Sequence, residues 1–489
     1  MFKLAFQSGL VEAKLKILNM FTGLFIAGFA IKVLGLEIIG TIQFIQALFL
    51  FILGISGTQV FSTAIYHTIS QYNKKKYLKK IISSLNSFLL LVILIAFGVI
   101  SIYFFYFSES TININNLMSI LISIFVVILL DSISSLKSTV MNGFGNFVKV
   151  SYINGVITSL SHIIIFIFLL NSQSLYFYLI LLVFFSVFKL IILEKEMRGF
   201  IQVPWFSFNF RYILSMKLVS KSSYIGSLSS PFSSQMDKVL VGLLGGVSLV
   251  PIYNFAQMAL SFVHSMLYQV NQVYLKNNSK IAKKNRFIPK RFFFLQRWTI
   301  FAVAIVTYSL MVWMLPYLFY YLFPSDFGDL SLIFIFLASA QGLIVAASMV
   351  NNNVLIAYEK MKILAVQEWI NSFSVFGFSI ILGLLIGGVG IALARMAFLF
   401  QYFNSIYHIR RLYNIGYIEL LKPYWLIGIF FINMLLSYWA WDSSSKAIYI
   451  TLSLLLTFVY FFIDSFIMRY SKKILILYLK DLFKWKKEI

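Results

Sequence analysis

Long apolar runs follow one another along almost the whole chain, and short polar breaks separate them. A helix that crosses the hydrocarbon core of a bilayer needs about 20 mostly apolar residues. Fourteen runs meet this requirement, and they begin near residues 16, 40, 81, 117, 152, 175, 222, 250, 298, 330, 364, 390, 424 and 447. The pattern predicts an all-α polytopic membrane protein with about 14 transmembrane helices.

The loops between these runs alternate in charge. One set is basic and includes the segments Lys74–Lys80 and Lys276–Arg297. The other set carries Glu37, Glu109, Asp326, Asp329 and Asp442, with Lys446 as its one basic residue. Because cytoplasmic loops are enriched in Lys and Arg, this alternation predicts an even number of spans with both termini in the cytoplasm.

Two segments of the first half recur in the second half at one offset. A shift of 211 residues lays LGLEIIGTIQFIQAL, from Leu34, onto GGVSLVPIYNFAQMA, from Gly245, and the same shift lays the basic segment 73–80 onto 284–291. Both basic segments are expected in the cytoplasm, so each half contains an even number of spans and the repeats run parallel. We therefore expect two six-helix lobes, residues 1–211 and 212–423, and two extra helices with a basic cytoplasmic tail in residues 424–489.

Composition supports the membrane interpretation and excludes several functions. The 489 residues are 60% hydrophobic and 11% charged, with a mean hydropathy of +0.89. The net charge of +24 is explained by topology and anionic lipid, so nucleic acid is not an expected partner. Cysteine is absent, and no metalloprotease, phosphate-binding-loop or serine-hydrolase motif occurs. We expect a transporter and not an enzyme, with no cofactor and no metal site.

The repeated segments resemble one family of transporters. Lys32-x-LGLEIIG is similar to the turn between the first two helices of Wzx-type polysaccharide flippases, in the multidrug/oligosaccharidyl-lipid/polysaccharide exporter superfamily. The stretch from Ser229 to Leu260, with Asp237 and Lys238 before an LG turn, resembles the seventh-helix segment of that family. Pro251 stands where the family commonly has Gly. Together with the span count, the resemblance extends over essentially the whole chain.

The resemblance implies two lobes around a cavity that opens alternately to the two sides of the bacterial cytoplasmic (inner) membrane. The implied cargo is an undecaprenyl-pyrophosphate-linked oligosaccharide repeat unit, moved to the outer leaflet for O-antigen or capsule synthesis. Expected partners are this lipid-linked oligosaccharide, membrane lipids, and the polysaccharide polymerase and chain-length machinery. Flippases for peptidoglycan precursors and teichoic-acid-type exporters share the architecture. A cation-coupled multidrug or metabolite antiporter of the same superfamily is the alternative.

Ionisable residues inside the predicted spans are the first candidates for a site, because each costs about 2.5 to 3.5 kcal/mol at the bilayer centre. Lys32, Lys238 and Arg395 fall in the outer halves of their helices. They are expected to bind pyrophosphate or acidic sugars, arginine in a bidentate manner and lysine as a point charge. The alternatives are that Lys32 extends to the outer interface and that Lys238 is neutralised by another helix.

Acidic and amide side chains complete the candidate set. Asp131, Asp237 and Glu368 are candidates to bind a coupling proton or sodium ion, and Asp131 is favoured because Lys137 does not share its helix face. Gln43 and Gln46 form one helix face, which Asn254 and Gln257 repeat. The two faces either line the cavity, which we favour, or bond neighbouring helices.

Overall fold

The computed structural model describes residues 18–19, 22–23, 25–56, 75–106, 114–144, 146–199, 209, 228–229, 231–285, 288–322, 328–416 and 426–442. All regular secondary structure in these residues is helical. In chain order the helices are α1 (Phe25–Leu34), α2 (Leu36–Ile55), α3 (Lys75–Tyr106), α4 (Ile114–Gly143), α5 (Phe147–Ser172), α6 (Leu175–Arg198), α7 (Met236–Leu244), α8 (Leu249–Asn285), α9 (Lys290–Leu322), α10 (Gly328–Ala357), α11 (Met361–Ala394), α12 (Phe398–Tyr413) and α13 (Leu426–Asp442).

Eight helical segments in the described residues are long and apolar enough to cross a membrane. The chain is therefore a multi-pass membrane protein, as the hydrophobic pattern predicts. One of the eight segments, Met361–Tyr413, contains both predicted spans that begin near 364 and 390, and its backbone leaves the helical region at Ile386 and Gly387. The predicted span near 447 lies outside the described residues.

The turn between α1 and α2 is tighter than the sequence indicates. We expect Gly35, Glu37 and Gly40 to share a turn, but α2 begins at Leu36 and includes both Glu37 and Gly40. Gly35 alone makes the connection, with a φ of 90° that glycine adopts without strain. Gly246, which lies 211 residues later between α7 and α8, has a φ of 92°. The predicted offset thus relates two turns with the same unusual backbone.

The two halves of the chain meet along α2, which packs against both α7 and α8. A β-carbon added to Gly40 would overlap the carbonyl oxygen of Val247, and one added to Gly54 would overlap the ring of Pro231. A β-carbon added to Gly242 would likewise overlap the ring of Phe44. Glycine is therefore required at three levels of this contact, which runs along the length of α2.

Within each half, one central helix packs against four others. In the second half α10 packs against α8, α9, α11 and α12, and α7 packs against α11. In the first half α4 packs against α2, α3, α5 and α6.

Candidate functional site

A break in the helix before α7 marks the centre of the polar site. Residues 231–234 are helical, Gln235 is in a turn, and α7 begins at Met236. Asp237 lies in the first turn of α7 and is 1% exposed. An isolated carboxylate is costly to bury at this depth, so a compensating charge is required.

Arg395 supplies that charge from the single turn of 3-10 helix, Arg395–Ala397, that precedes α12. Its Nε lies 3.0 Å from Oδ2 of Asp237. One terminal nitrogen of the guanidinium donates a 2.8 Å hydrogen bond to the carbonyl of Ser233, just before the break. The ion pair therefore joins the start of α12 to both sides of the broken helix.

Side chains from α8 and α10 complete this network. The Tyr253 hydroxyl donates to Oδ2 of Asp237. The other terminal nitrogen of Arg395 donates to Oε1 of Gln257 and, at 3.2 Å, to Oε1 of Gln341. Most of the donors of Arg395 are thus used inside the protein, and the buried charges neutralise each other.

This network changes the interpretation of two predicted site residues. Asp237, a candidate for the coupling ion, already has an internal cation beside it, and Arg395, a candidate for pyrophosphate, already has a carboxylate. Arg395 pairs with Asp237 and not with Glu368. Gln257 forms hydrogen bonds to side chains on other elements. This matches the alternative that its helix face bonds neighbouring helices, whereas the favoured prediction was that the face lines the cavity.

The two candidate lysines lie in different surroundings. Lys32 is exposed near the end of α1, three residues before the Gly35 turn. Lys238 is half-buried in α7, next to Asp237. No acidic side chain among the described residues lies within 4 Å of the Lys238 ammonium group. Lys238 therefore lies beside a carboxylate, that of Asp237, which already pairs with Arg395.

The predicted amide faces meet each other. The Asn254 amide donates to Oε1 of Gln43 at 3.2 Å, although the two residues are 211 positions apart. They are the equivalents of each other in the predicted repeat. Gln46 is half-buried on the same face of α2. At Gln43 and Asn254, as at Gln257, the amide side chains form a hydrogen bond between helices.

The remaining acids have different partners. Asp131 on α4 lies 3.3 Å from the ammonium group of Lys189 on α6. Lys189 was not among the predicted site residues, although it lies in the apolar run that begins at 175. Its pairing removes the reason for favouring Asp131. Glu368 on α11 accepts a 3.4 Å hydrogen bond from the Gln401 amide on α12.

Sequence reasoning missed Tyr253, Gln341, Lys189 and Gln401. Each bonds a predicted residue from a different helix. For Lys189 the signal was present, since a lysine inside an apolar run needs a partner. For Gln341 and Gln401 no signal was available, because an amide inside a span is common between helices.

Discontinuous helices near the centre of a helix bundle also occur in many secondary transporters. The fold is shared with solved transporters of the MOP superfamily. The lipid II flippase MurJ, in an inward closed conformation, is similar with a TM-score of 0.68 and 16% identity, over 95% of this chain and 99% of that one. A multidrug resistance MATE family transporter of the MOP superfamily, inward-facing, has a TM-score of 0.63 and 13% identity, over 83% and 99%.

A mutant of the Vibrio cholerae MATE transporter VcmN is also similar, with a TM-score of 0.56 and 13% identity over 84% of this chain and 97% of that one. No protein-family model and no curated protein sequence matches the chain. At these identities the likeness shows the fold, which this chain shares with these solved transporters.

Proposed function

We propose that the chain is a flippase that moves an undecaprenyl-pyrophosphate-linked oligosaccharide repeat unit from the inner to the outer leaflet, by alternating access, for O-antigen or capsule biosynthesis. It acts in the bacterial cytoplasmic membrane, with both termini in the cytoplasm. Its architecture is fourteen spans: lobes at residues 1–211 and 212–423, and two further helices in residues 424–489. Its partners are the lipid-linked oligosaccharide, membrane lipids, and the polymerase and chain-length machinery.

The observation that carries this proposal is the lysine of α7 beside an ion pair. Arg395 pairs with Asp237, and no acidic side chain among the described residues lies within 4 Å of the adjacent Lys238 ammonium group. A pyrophosphate group is an anion that such a lysine can bind as a point charge. Lys32 adds a second cation near the outer turn, and Gln46 is a half-buried amide that can bind sugar hydroxyls. Arg395 contributes by pairing with the Asp237 carboxylate.

The fold likeness supports a lipid-linked cargo. The MurJ structure, which is named a lipid II flippase, matches 95% of this chain, whereas the MATE structures compared above match 83% and 84%. A cargo with a polar head and a long tail also requires a route whose polar part is shielded from lipid. The cationic residues suit an anionic head group better than a cationic drug.

The test replaces Lys238 by alanine in cells that have this chain as their only exporter of the repeat unit. Export of surface polysaccharide should fall by roughly tenfold, as expected for the loss of one hydrogen bond to a charged group. Lipid-linked repeat unit should accumulate at the same time. Lys238→Arg should keep most of the export, and Lys290→Ala, an exposed lysine at the start of α9, is the matched control. Normal export by Lys238→Ala at normal protein level would refute the proposed site.

Two related functions are separated by the lipid that accumulates. The likeness to MurJ favours a lipid II flippase, and depletion of such a protein would make lipid II accumulate and stop growth. The likeness to MATE transporters favours a cation-coupled antiporter, and its depletion would change drug sensitivity with no accumulated lipid. Accumulation of the repeat unit alone is the outcome that the proposed function requires.

A further inference from the structure

Four acidic residues inside the described helices have a basic partner. The ion pairs are Asp131 with Lys189, Asp237 with Arg395, Glu194 with Lys137 and Arg198, and Glu196 with Lys149. A carboxylate beside a fixed cation stays ionised, because protonation would leave the cation alone in a region of low dielectric. These residues are therefore poorly suited to bind and release a proton during each transport cycle.

Glu368 is different from these acids. It lies seven residues after the start of α11, inside the segment Met361–Tyr413, and it is half-buried. The Gln401 amide on α12 donates to its Oε1 at 3.4 Å. No basic side chain among the described residues lies within 4 Å of its carboxylate.

We infer that Glu368 is the residue that binds and releases the coupling proton, which deepens the proposed function and rests on it. In the ionised form the carboxylate accepts the N–H of Gln401. In the protonated form its O–H can donate to the carbonyl oxygen of the same amide after the amide rotates. Both forms are hydrogen-bonded, but only the neutral form is cheap to move through an apolar environment.

The surroundings of Glu368 favour a proton over a sodium ion. In transporters a sodium ion is bound by several oxygens, including carbonyls of unwound backbone. The departures from helical backbone within α11 are at Ile386 and Gly387, far from Glu368, and the neighbouring Gln401 presents an N–H. Among the described residues no group of three or more acidic, His or Cys side chains could hold a metal ion.

The same face of α11 carries other buried polar groups. Asn371, Ser372 and Ser379 follow Glu368 by three, four and eleven residues, which places them on one side of the helix. Ser372 donates to the carbonyl of Ser229, whereas Oδ1 of Asn371 and Oγ of Ser379 have no protein partner although each residue is 1% exposed. Buried polar atoms of this kind are normally satisfied by water. Glu368 therefore begins a polar strip and does not face lipid alone.

Other ionisable groups lie on the elements that pack against α11. They are Asp237 and Lys238 on α7, Asp329 at the far end of α10, Arg395, and Tyr402, Tyr407, His408, Arg410, Arg411 and Tyr413 on α12. Of these groups, His408 is the one whose ordinary pKa lies near neutrality. A separate variant must therefore distinguish it from Glu368.

The test measures conformation and needs no cargo, so its failure is distinct from failure of the proposed function. The chain has no cysteine, and spin labels can therefore be attached to cysteine pairs without background. The pair Tyr106→Cys and Met314→Cys reports on α3 and α9 toward their C-terminal ends, and Lys80→Cys with Lys290→Cys reports on their N-terminal ends. All four positions are exposed. Distances are measured in lipid nanodiscs from mildly acidic to mildly alkaline buffer, with sodium or with potassium.

In the wild-type chain we expect the distances to shift with pH and to be the same in the two salts. E368Q should lose the shift, and E368D should keep it with a changed midpoint. H408N and E359Q, the latter an exposed acid in the turn before α11, should behave like the wild-type chain. A pH-dependent shift that survives in E368Q, a shift absent from the wild-type chain, or a shift that follows sodium would overturn the inference.

Discussion

At the residue scale, the pairing of Asp237 with Arg395 decides which charges are available to a cargo. The two residues are 158 positions apart, and the sequence identifies both as costly inside a membrane. It does not reveal that they meet, because their contact depends on the break at Gln235 and on the start of α12. The sequence thus located the charges of the site but not which of them neutralise each other.

Arg395→Ala should destabilise the protein strongly, since it leaves the Asp237 carboxylate buried without its counter-charge. Breaking a buried ion pair by removing one partner costs about 3 to 5 kcal/mol. Thermal unfolding of the purified protein in detergent measures the effect. Arg411→Ala, at an exposed arginine on α12, should change the unfolding midpoint little.

The double variant Asp237→Asn with Arg395→Gln tests the cause. Because it removes both charges together, it should be more stable than Arg395→Ala. A double variant no more stable than Arg395→Ala would show that the loss comes from packing and not from the unpaired carboxylate.

At the scale of single elements, helix positions were predictable and close contacts were not. Eleven of the described helices begin within about eight residues of a predicted start, because the apolar runs are long and the loops are short. The Gly35 turn was predicted, but Gly40 was assigned to it instead of to α2. A glycine that relieves a turn and a glycine that admits another backbone look the same in a sequence.

Gly40→Ala should push α2 away from the connection between α7 and α8. The added carbon would meet the Val247 carbonyl, which is backbone and cannot rotate aside. Overpacking of this kind costs about 1 to 3 kcal/mol, and the distance between labels at Tyr106→Cys and Met314→Cys should change. Gly98→Ala in α3 is the matched control, since nothing lies within 4 Å of the β-carbon it would add. If Gly40→Ala and Gly98→Ala had the same stability and the same label distance, the role assigned to Gly40 would be contradicted.

At the scale of the whole molecule, the alternation of loop charge predicts the orientation of the protein in the membrane. The proposed topology puts the connection between α5 and α6 outside the cell, and the connection between α10 and α11 in the cytoplasm. The sequence carries this information because positive charge is retained on the cytoplasmic side during insertion. Cargo identity leaves no comparable trace, since transporters of one fold differ in a few polar side chains.

Single cysteines test that orientation directly. Ser172 is exposed at the end of α5, beside the connection to α6, and Lys360 is exposed in the connection between α10 and α11. Each is replaced by cysteine. A membrane-impermeant maleimide should label Ser172→Cys in intact spheroplasts and Lys360→Cys only after the membrane is permeabilised. The cysteine-free parent is the control, and the reverse labelling pattern would contradict the topology.

The bond between Gln43 and Asn254 has a consequence for the history of the chain. On the proposed duplication these two residues descend from one position, and they now touch each other. In a six-helix ancestor that paired with its own copy, this side chain would have faced itself across the symmetry axis, so any substitution would have altered both sides at once. Duplication released that constraint. The two sides could then become unequal, one a glutamine and the other an asparagine.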